Sequence, residues 1–211
     1  TTRTVAMYEY RQYGVFMEFS KVSNIDLITV PYRSGREFFI SSQAYSDSEQ
    51  ADILKQISDF LKANQAGCIT CRIAIPKDKQ TRIAHTLKND VPELACPITW
   101  FTQYPEENCP TFIIQLHALS GFPIQVIQNG NSLAGCIFED DHVRYYQLRL
   151  FPDDRQADNQ TQTYSVFHKM DTVLKTMGLD FHSTARTWLY AHDILSWYDK
   201  LNRARDCFFS E

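Results

Sequence analysis

The sequence predicts an α+β fold made of two sheet-plus-helix units in tandem, the second lacking its closing strands in this chain. Three observations predict it. Up to about residue 120, candidate strands and amphipathic helices follow one another in the order strands, helix, strand, helix, strand, strand. From Pro123 a similar order starts again, at a period of roughly 110 residues. The second pass runs through a strand-and-helix stretch at 181–209 and lacks the last two strands. The expected domains are therefore 1–120 and 121–211.

In the first unit, 4–10 and 14–20 are rich in Tyr, Phe, Val and Met with charges interleaved, the composition of paired strands. A third strand, 25–30, ends at Pro31, and a fourth, 37–41, follows the Ser34-Gly35 turn. Residues 47–64 form a helix whose Ile53, Leu54, Ile57, Phe60 and Leu61 make one stripe, with Gly67 placed as a left-handed cap. Along 68–75, alternation sets Ile69, Cys71, Ile73 and Ile75 on one face, and Pro76 stops the strand. A weaker helix covers 78–88, where only Ile83, Ala84 and Leu87 are apolar on its stripe. Strands at 98–103 and 111–119, parted by the polar loop 104–110, complete the unit.

The second unit opens with strands 124–128 and 132–138 around Asn129-Gly130, a pair favoured in tight hairpins. The acidic turn Glu139-Asp140-Asp141 leads to a strand at 143–151. A polar loop precedes a helix at 160–177, with Tyr164, Phe167, Asp171, Leu174 and Met177 at helical spacing and Gly178 behind it. In 181–190, Thr184, Arg186, Trp188 and Tyr190 share one face of a period-2 pattern. Asp193 then caps a helix at 194–209, striped by Ile194, Tyr198, Leu201, Arg205 and Phe208. Without closing strands this unit has an unpaired edge and a partly uncovered helix, so further residues after Glu211 or another polypeptide are expected to complete it.

The chain has 211 residues, enough for one large core or two smaller ones, and 44% hydrophobic with 13% aromatic residues mark it as globular. A net charge of −4 gives no basic footprint for nucleic acid. No apolar run approaches a membrane span, so a cytoplasmic location and no membrane partner are expected. Six cysteines at irregular spacing read as reduced thiols rather than a disulfide scaffold. Cys68-Ile69-Thr70-Cys71 is a C-x-x-C, but a regular strand sends its two sulfurs to opposite faces, and no second pair matches it. No metal site is expected.

Arg186, Trp188 and Tyr190 are the candidate ligand-binding residues. A guanidinium between aromatic rings suits a planar carboxylate, by forked hydrogen bonding and stacking. An arginine tied to a neighbouring carboxylate beside two packing rings gives the same pattern. Tyr146, with Tyr145 and Arg149 on the 143–151 strand, is a candidate for lining the same cleft. His117, His168, His182 and His192 lie near carboxylates, without the spacing of metal ligands.

The run Arg186-Thr187-Trp188-Leu189-Tyr190, then Asp193-Ile194, Trp197-Tyr198, Leu201-Asn202-Arg203-Ala204-Arg205 and Phe208-Phe209, resembles the second-domain signature of two-domain Rid (YjgF-type) proteins, the group that includes the chorismatases. The resemblance implies a chorismate-mutase-like α+β fold whose sheets associate about a threefold or pseudo-threefold axis, a trimer or pseudo-trimer, with ligand clefts between units. It implies hydrolysis of a small carboxylate-bearing molecule, an enamine, imine or chorismate-like compound, with no cofactor and no metal. A non-catalytic ligand-binding or assembly protein of the same fold is the alternative. A third, remote one is the endoribonuclease (L-PSP-type) label the family carries, which the acidic charge does not support. The resemblance carries no catalytic residue onto this chain, since those are expected beyond Glu211.

Overall fold

The computed structural model describes residues 5–10, 15–32, 34–103, 106–129 and 132–210. Two compact units emerge, Thr1–Arg149 and Leu150–Glu211. The division falls well after residue 120, the expected boundary. The strands that follow residue 120 pack on the first sheet, with Cys136 joining the main core and Phe138 joining Ile69 and Leu119.

The first unit holds a seven-stranded sheet of β1 (Val5–Tyr10), β2 (Val15–Val22), β3 (Ile25–Tyr32), β4 (Gly35–Ala44), β5 (Ala66–Ile75), β6 (Ile98–Thr102) and β7 (Phe112–Ser120). Their order is β1-β2-β3-β4-β7-β5-β6, and every pair is antiparallel except β5 with β6. Helices α1 (Asp47–Ala63) and α2 (Lys77–Asp90) cover one face. A second sheet, in the order β10-β9-β8, is the meander β8 (Gln125–Asn129), β9 (Ser132–Glu139) and β10 (Arg144–Leu148). Thr4, Gly14, loop positions 104–105 and the hairpin position Gly130 fall outside the described residues.

α1 starts at a capping box. The Ser46 hydroxyl accepts from the Glu49 N–H, and the Glu49 carboxylate accepts from the Ser46 N–H. Its buried Ile53, Leu54, Ile57 and Leu61 contribute about 1.5–3 kcal/mol each by leaving water. They meet Phe38, Ile40, Ile114 and Leu116 from β4 and β7, with Phe60 edge-on to Phe38 at 5.2 Å. The left-handed residue after the helix is Gln65 (φ 49), where the sequence pointed to Gly67. Gly67 instead lies in β5 against Ile124, which approaches to 2.7 Å of where a Cβ would stand.

β5 departs from simple alternation. Its register to β7 runs Cys68 to Ala118, then Thr70 to His117, then Cys71 to Leu116, so one extra residue, Ile69, is inserted as a bulge. Cys68 and Cys71 therefore face the same side, opposite inward-pointing neighbours. This corrects the expectation that the C-x-x-C sulfurs diverge. Ile69 is freed to pack with Leu119 and Phe138.

The second unit is helical. α3 (Asn159–Thr176) is capped by Asp158, whose carboxylate accepts from the Gln160 and Thr161 N–H groups, and Gly178 follows at φ 72. α4 (Tyr198–Phe209) packs on α3, with the Phe167 and Phe208 rings stacked at 5.5 Å and Phe181 4.9 Å from Phe208. The expected strand at 181–190 is absent among the described residues. Residues 181–183 form a 3-10 turn, and 184–192 have no regular structure. An alternating pattern assigns faces but cannot make a strand without a neighbour to accept its backbone hydrogen bonds, and no described strand pairs with this stretch. Nor does Asp193 cap the last helix: it sits at φ 44 with no side-chain cap, before a 3-10 turn at 194–196. No helix among the described residues is long and apolar enough to cross a membrane.

Candidate functional site

The irregular segment 184–192 is strapped at both ends. At the front, the Asp180 carboxylate accepts from the Ser183 N–H at 3.2 Å, and Phe181 is embedded among Phe167, Phe208 and Phe209. At the back, the Trp197 indole N–H donates to the His192 carbonyl at 2.9 Å. Between the straps the Arg186 guanidinium lies over the Trp188 ring, 5.2 Å from its centroid. Trp188 and Tyr190 are about half exposed, at 51% and 53%.

Stacking on an indole uses the face of the guanidinium and leaves its in-plane N–H groups for a carboxylate. The structure thus brings two of the sequence candidates, Arg186 and Trp188, into contact, with Tyr190 on the same exposed segment. Their proximity arises in a segment without regular structure rather than in the paired strand that was expected.

Tyr146 lies in the other compact unit, half-buried on β10 and registered with Ile137. Beside it Pro123, Gln125, Ile137, Phe138, Glu139 and Arg144 line a cleft of about 360 Å³. The cleft's one guanidinium is engaged, as Arg144 donates through Nε and Nη2 to Glu139 Oε2 at 2.7 Å. Electrostatically the cleft is close to neutral, which suits an uncharged ligand group better than an anion.

A further polar group lies on the face of the seven-stranded sheet opposite α1 and α2. Phe39 of β4 is registered with His117 of β7, and their rings stack at 4.5 Å and 6°. His117 Nε2 is buried without a hydrogen-bond partner among the described residues and stands 3.8 Å from Glu37 Oε2. Arg72 of β5 is registered with Gln115 of β7 and with Thr99 of β6. Imidazole and carboxylate thus share one half-open surface, with Arg72 on the same face two positions further along β7. Alternation alone places His117 and Gln115 on one face of 111–119. Glu37, Phe39 and Arg72 join them only through strand pairing, which has no local signature.

Four cysteines, Cys68, Cys71, Cys96 and Cys136, are buried in the main core. Burial, and after it the Cys96 sulfur, pushes the Cys68 and Cys71 thiols well above the ordinary range, and burial takes Cys136 up to about 12. No group of three or more His, Cys, Asp or Glu side chains among the described residues is arranged to hold a metal ion.

No protein-family model matches the chain. No curated protein matches it in sequence. Among solved structures, a crystal structure of a chorismatase is similar to it with a TM-score of 0.59 and 9% sequence identity, over 98% of this chain and 82% of that one. The fold is chorismatase-like.

Proposed function

We propose that this chain belongs to the chorismatase-like branch of the Rid (YjgF-type) superfamily and serves a hydrolase of small carboxylate metabolites, enamine, imine or chorismate-like. In this reading Arg186, held over Trp188, grips the substrate carboxylate beside Tyr190, and water attacks the neighbouring carbon. The meander β8–β10 with α3 and α4 is then a second module on the plan of the first, with its boundary near residue 121. One observation carries the proposal: the fold likeness to a chorismatase extends over 98% of this chain. The contact between Arg186 and Trp188 supports it with a group of suitable chemistry.

The test is turnover. The full-length protein is incubated with chorismate, and separately with an amino-acid oxidase that generates imines in situ. Product release faster than the protein-free control supports the hydrolase. Failure with both, while the protein still binds a small carboxylate by calorimetry, rejects it in favour of a binding protein.

A non-catalytic assembly role has its own support in the face of the seven-stranded sheet opposite α1 and α2. Phe39 is 39% exposed there, beside the half-buried Ile28. Self-association through this face predicts a concentration-dependent sedimentation coefficient that Phe39→Glu lowers to the monomer value.

A further inference from the structure

Cys68 and Cys96 set their sulfurs 3.1 Å apart, both buried beneath the seven-stranded sheet. That is about 1 Å longer than a disulfide bond. Two backbone features bring them together. The bulge at Ile69 turns Cys68 inward, where regular alternation from Cys71 would turn it out. The parallel pairing of β5 with β6 does the rest. Cys71 is registered with Ile98 and its N–H donates to the Pro97 carbonyl at 3.3 Å, so Cys96, two residues before Ile98, runs beside the bulge. Neighbouring strands lie about 4.8 Å apart, inside the Cα separation of about 4.4–6.8 Å that a disulfide accepts.

The alternatives fit less well. Cys68 and Cys71 stand three positions apart on one extended strand, about 10 Å without the bulge, beyond disulfide reach. The Cys136 sulfur meets the carbonyl of Cys68 at 4.0 Å rather than its sulfur. Cys109 and Cys207 are exposed.

The geometry points to a Cys68–Cys96 disulfide as a second covalent state of this protein, formed by exchange with a small-molecule disulfide such as oxidised glutathione. One cysteine thiolate attacks the glutathione S–S bond, giving a mixed disulfide and one glutathione thiolate. The second cysteine attacks the protein sulfur of that mixed disulfide and releases the other glutathione. The two protein thiols lose two electrons, oxidised glutathione gains them, and the two protons end on the two glutathione thiols. The closed loop spans 28 positions, holds all of α2 and ties β5 to the residues entering β6. Because both sulfurs are shielded from solvent in the folded protein, exchange runs during folding or local opening, and the finished bond is shielded from reductant in turn. The proposal is independent of the hydrolase reading.

The test refolds the full-length protein from denaturant in a glutathione redox buffer and, in parallel, in reductant. Both samples are quenched with acid, alkylated unfolded, and mapped by mass spectrometry. In the redox buffer Cys68 and Cys96 lose their label, and one cross-linked peptide appears, lighter by two hydrogen atoms than the sum of its parts. This sample melts at a higher temperature than the reduced one and yields to reductant only when unfolded. Cys96→Ala abolishes the cross-link, and Cys71→Ala keeps it. Full labelling of Cys68 and Cys96 in protein refolded in the redox buffer overturns the proposal, as does a link that joins Cys71 or Cys136 instead. Both readouts come from the unmutated chain and do not depend on a variant folding.

Discussion

The hydroxyl of Tyr32 donates to Oδ2 of Asp140 at 2.9 Å, joining residues 108 positions apart. The other oxygen of Asp140 accepts from the N–H groups of His142 and Val143 at 2.8 and 2.9 Å. One buried carboxylate thus holds the turn between β9 and β10 and fastens it to the end of β3. Asp140→Ala takes one acceptor from the Tyr32 hydroxyl and the side-chain acceptor from two amides, at a cost of about 1–3 kcal/mol. Urea midpoints measure it. Tyr32→Phe, which removes one donor, costs about 1 kcal/mol, and equal midpoints for both variants and the parent protein would remove this fastening from the account.

The same hydroxyl makes stability fall at high pH. Burial first, then hydrogen bonds with Tyr145 and Asp140, push Tyr32 above its ordinary value of 10.0. The unfolded chain ionises at the lower pH, so the contribution is intact below 10.0 and is lost as pH rises past it. Denaturation midpoints taken at increasing alkalinity should decline, and the decline should be shallower in Tyr32→Phe.

At the acid end the sign reverses. Asp47 accepts from Lys79 Nζ and Arg82 Nη2, both at 2.8 Å, tying the start of α1 to α2. The bond from Lys79, then that from Arg82, holds its carboxyl below the ordinary 3.8. The resulting stability is present above 3.8 and is lost as pH falls through the lowered value. All three groups are partly exposed, so the effect is about 0.2–1 kcal/mol and shrinks in salt. Asp47→Asn should flatten the acid limb of stability, and high salt should leave parent and variant alike.

Gly121 has φ 85, and a Cβ there would stand 2.8 Å from the Cα of Gly35. Gly121→Ala therefore meets a conformational cost of about 1–2 kcal/mol before any steric displacement is counted. The melting temperature should drop by several degrees, and a Gly35→Ala change should drop it too, since its Cβ would meet the Ser120 carbonyl oxygen.

For Arg186 the expected outcome separates binding from folding. Arg186→Lys keeps the charge but loses the planar fork and the stacking on Trp188. Carboxylate affinity should fall about tenfold, the equivalent of 1.4 kcal/mol, with the urea midpoint unchanged because the segment is exposed. A midpoint that shifts while affinity holds would assign Arg186 to packing.

Much of the first unit was legible in the sequence because its signals are local. The α1 stripe of Ile53, Leu54, Ile57 and Leu61 and the alternation of Phe112, Ile114, Leu116 and Ala118 are set by helix and strand periods alone. The bulge was not legible. Ile69 is as apolar as Ile73 and Ile75, and only the pairing with β7 reveals that it belongs to another packing cluster. The stretch 181–190 failed for the opposite reason: its alternation was real, but strand structure is a property of pairs. The contact of Arg186 with Trp188 survived that failure because residues two apart can meet along an unpaired segment as well as along a strand face.

The inserted Ile69 also constrains how this sequence can drift. Ahead of it, Ala66, Gly67 and Cys68 are phased to one set of partners; behind it, Cys71, Ile73 and Ile75 are phased to another, half a repeat out of step. Removing that single isoleucine would leave Cys68, Thr70 and Cys71 opposite Ala118, His117 and Leu116 in plain alternation, so the strand would keep its facing and lose the contact with Leu119 and Phe138. What holds an isoleucine here is therefore the small apolar cluster it fills, while the facing of Cys68 and Cys71 is held by pairing with β7.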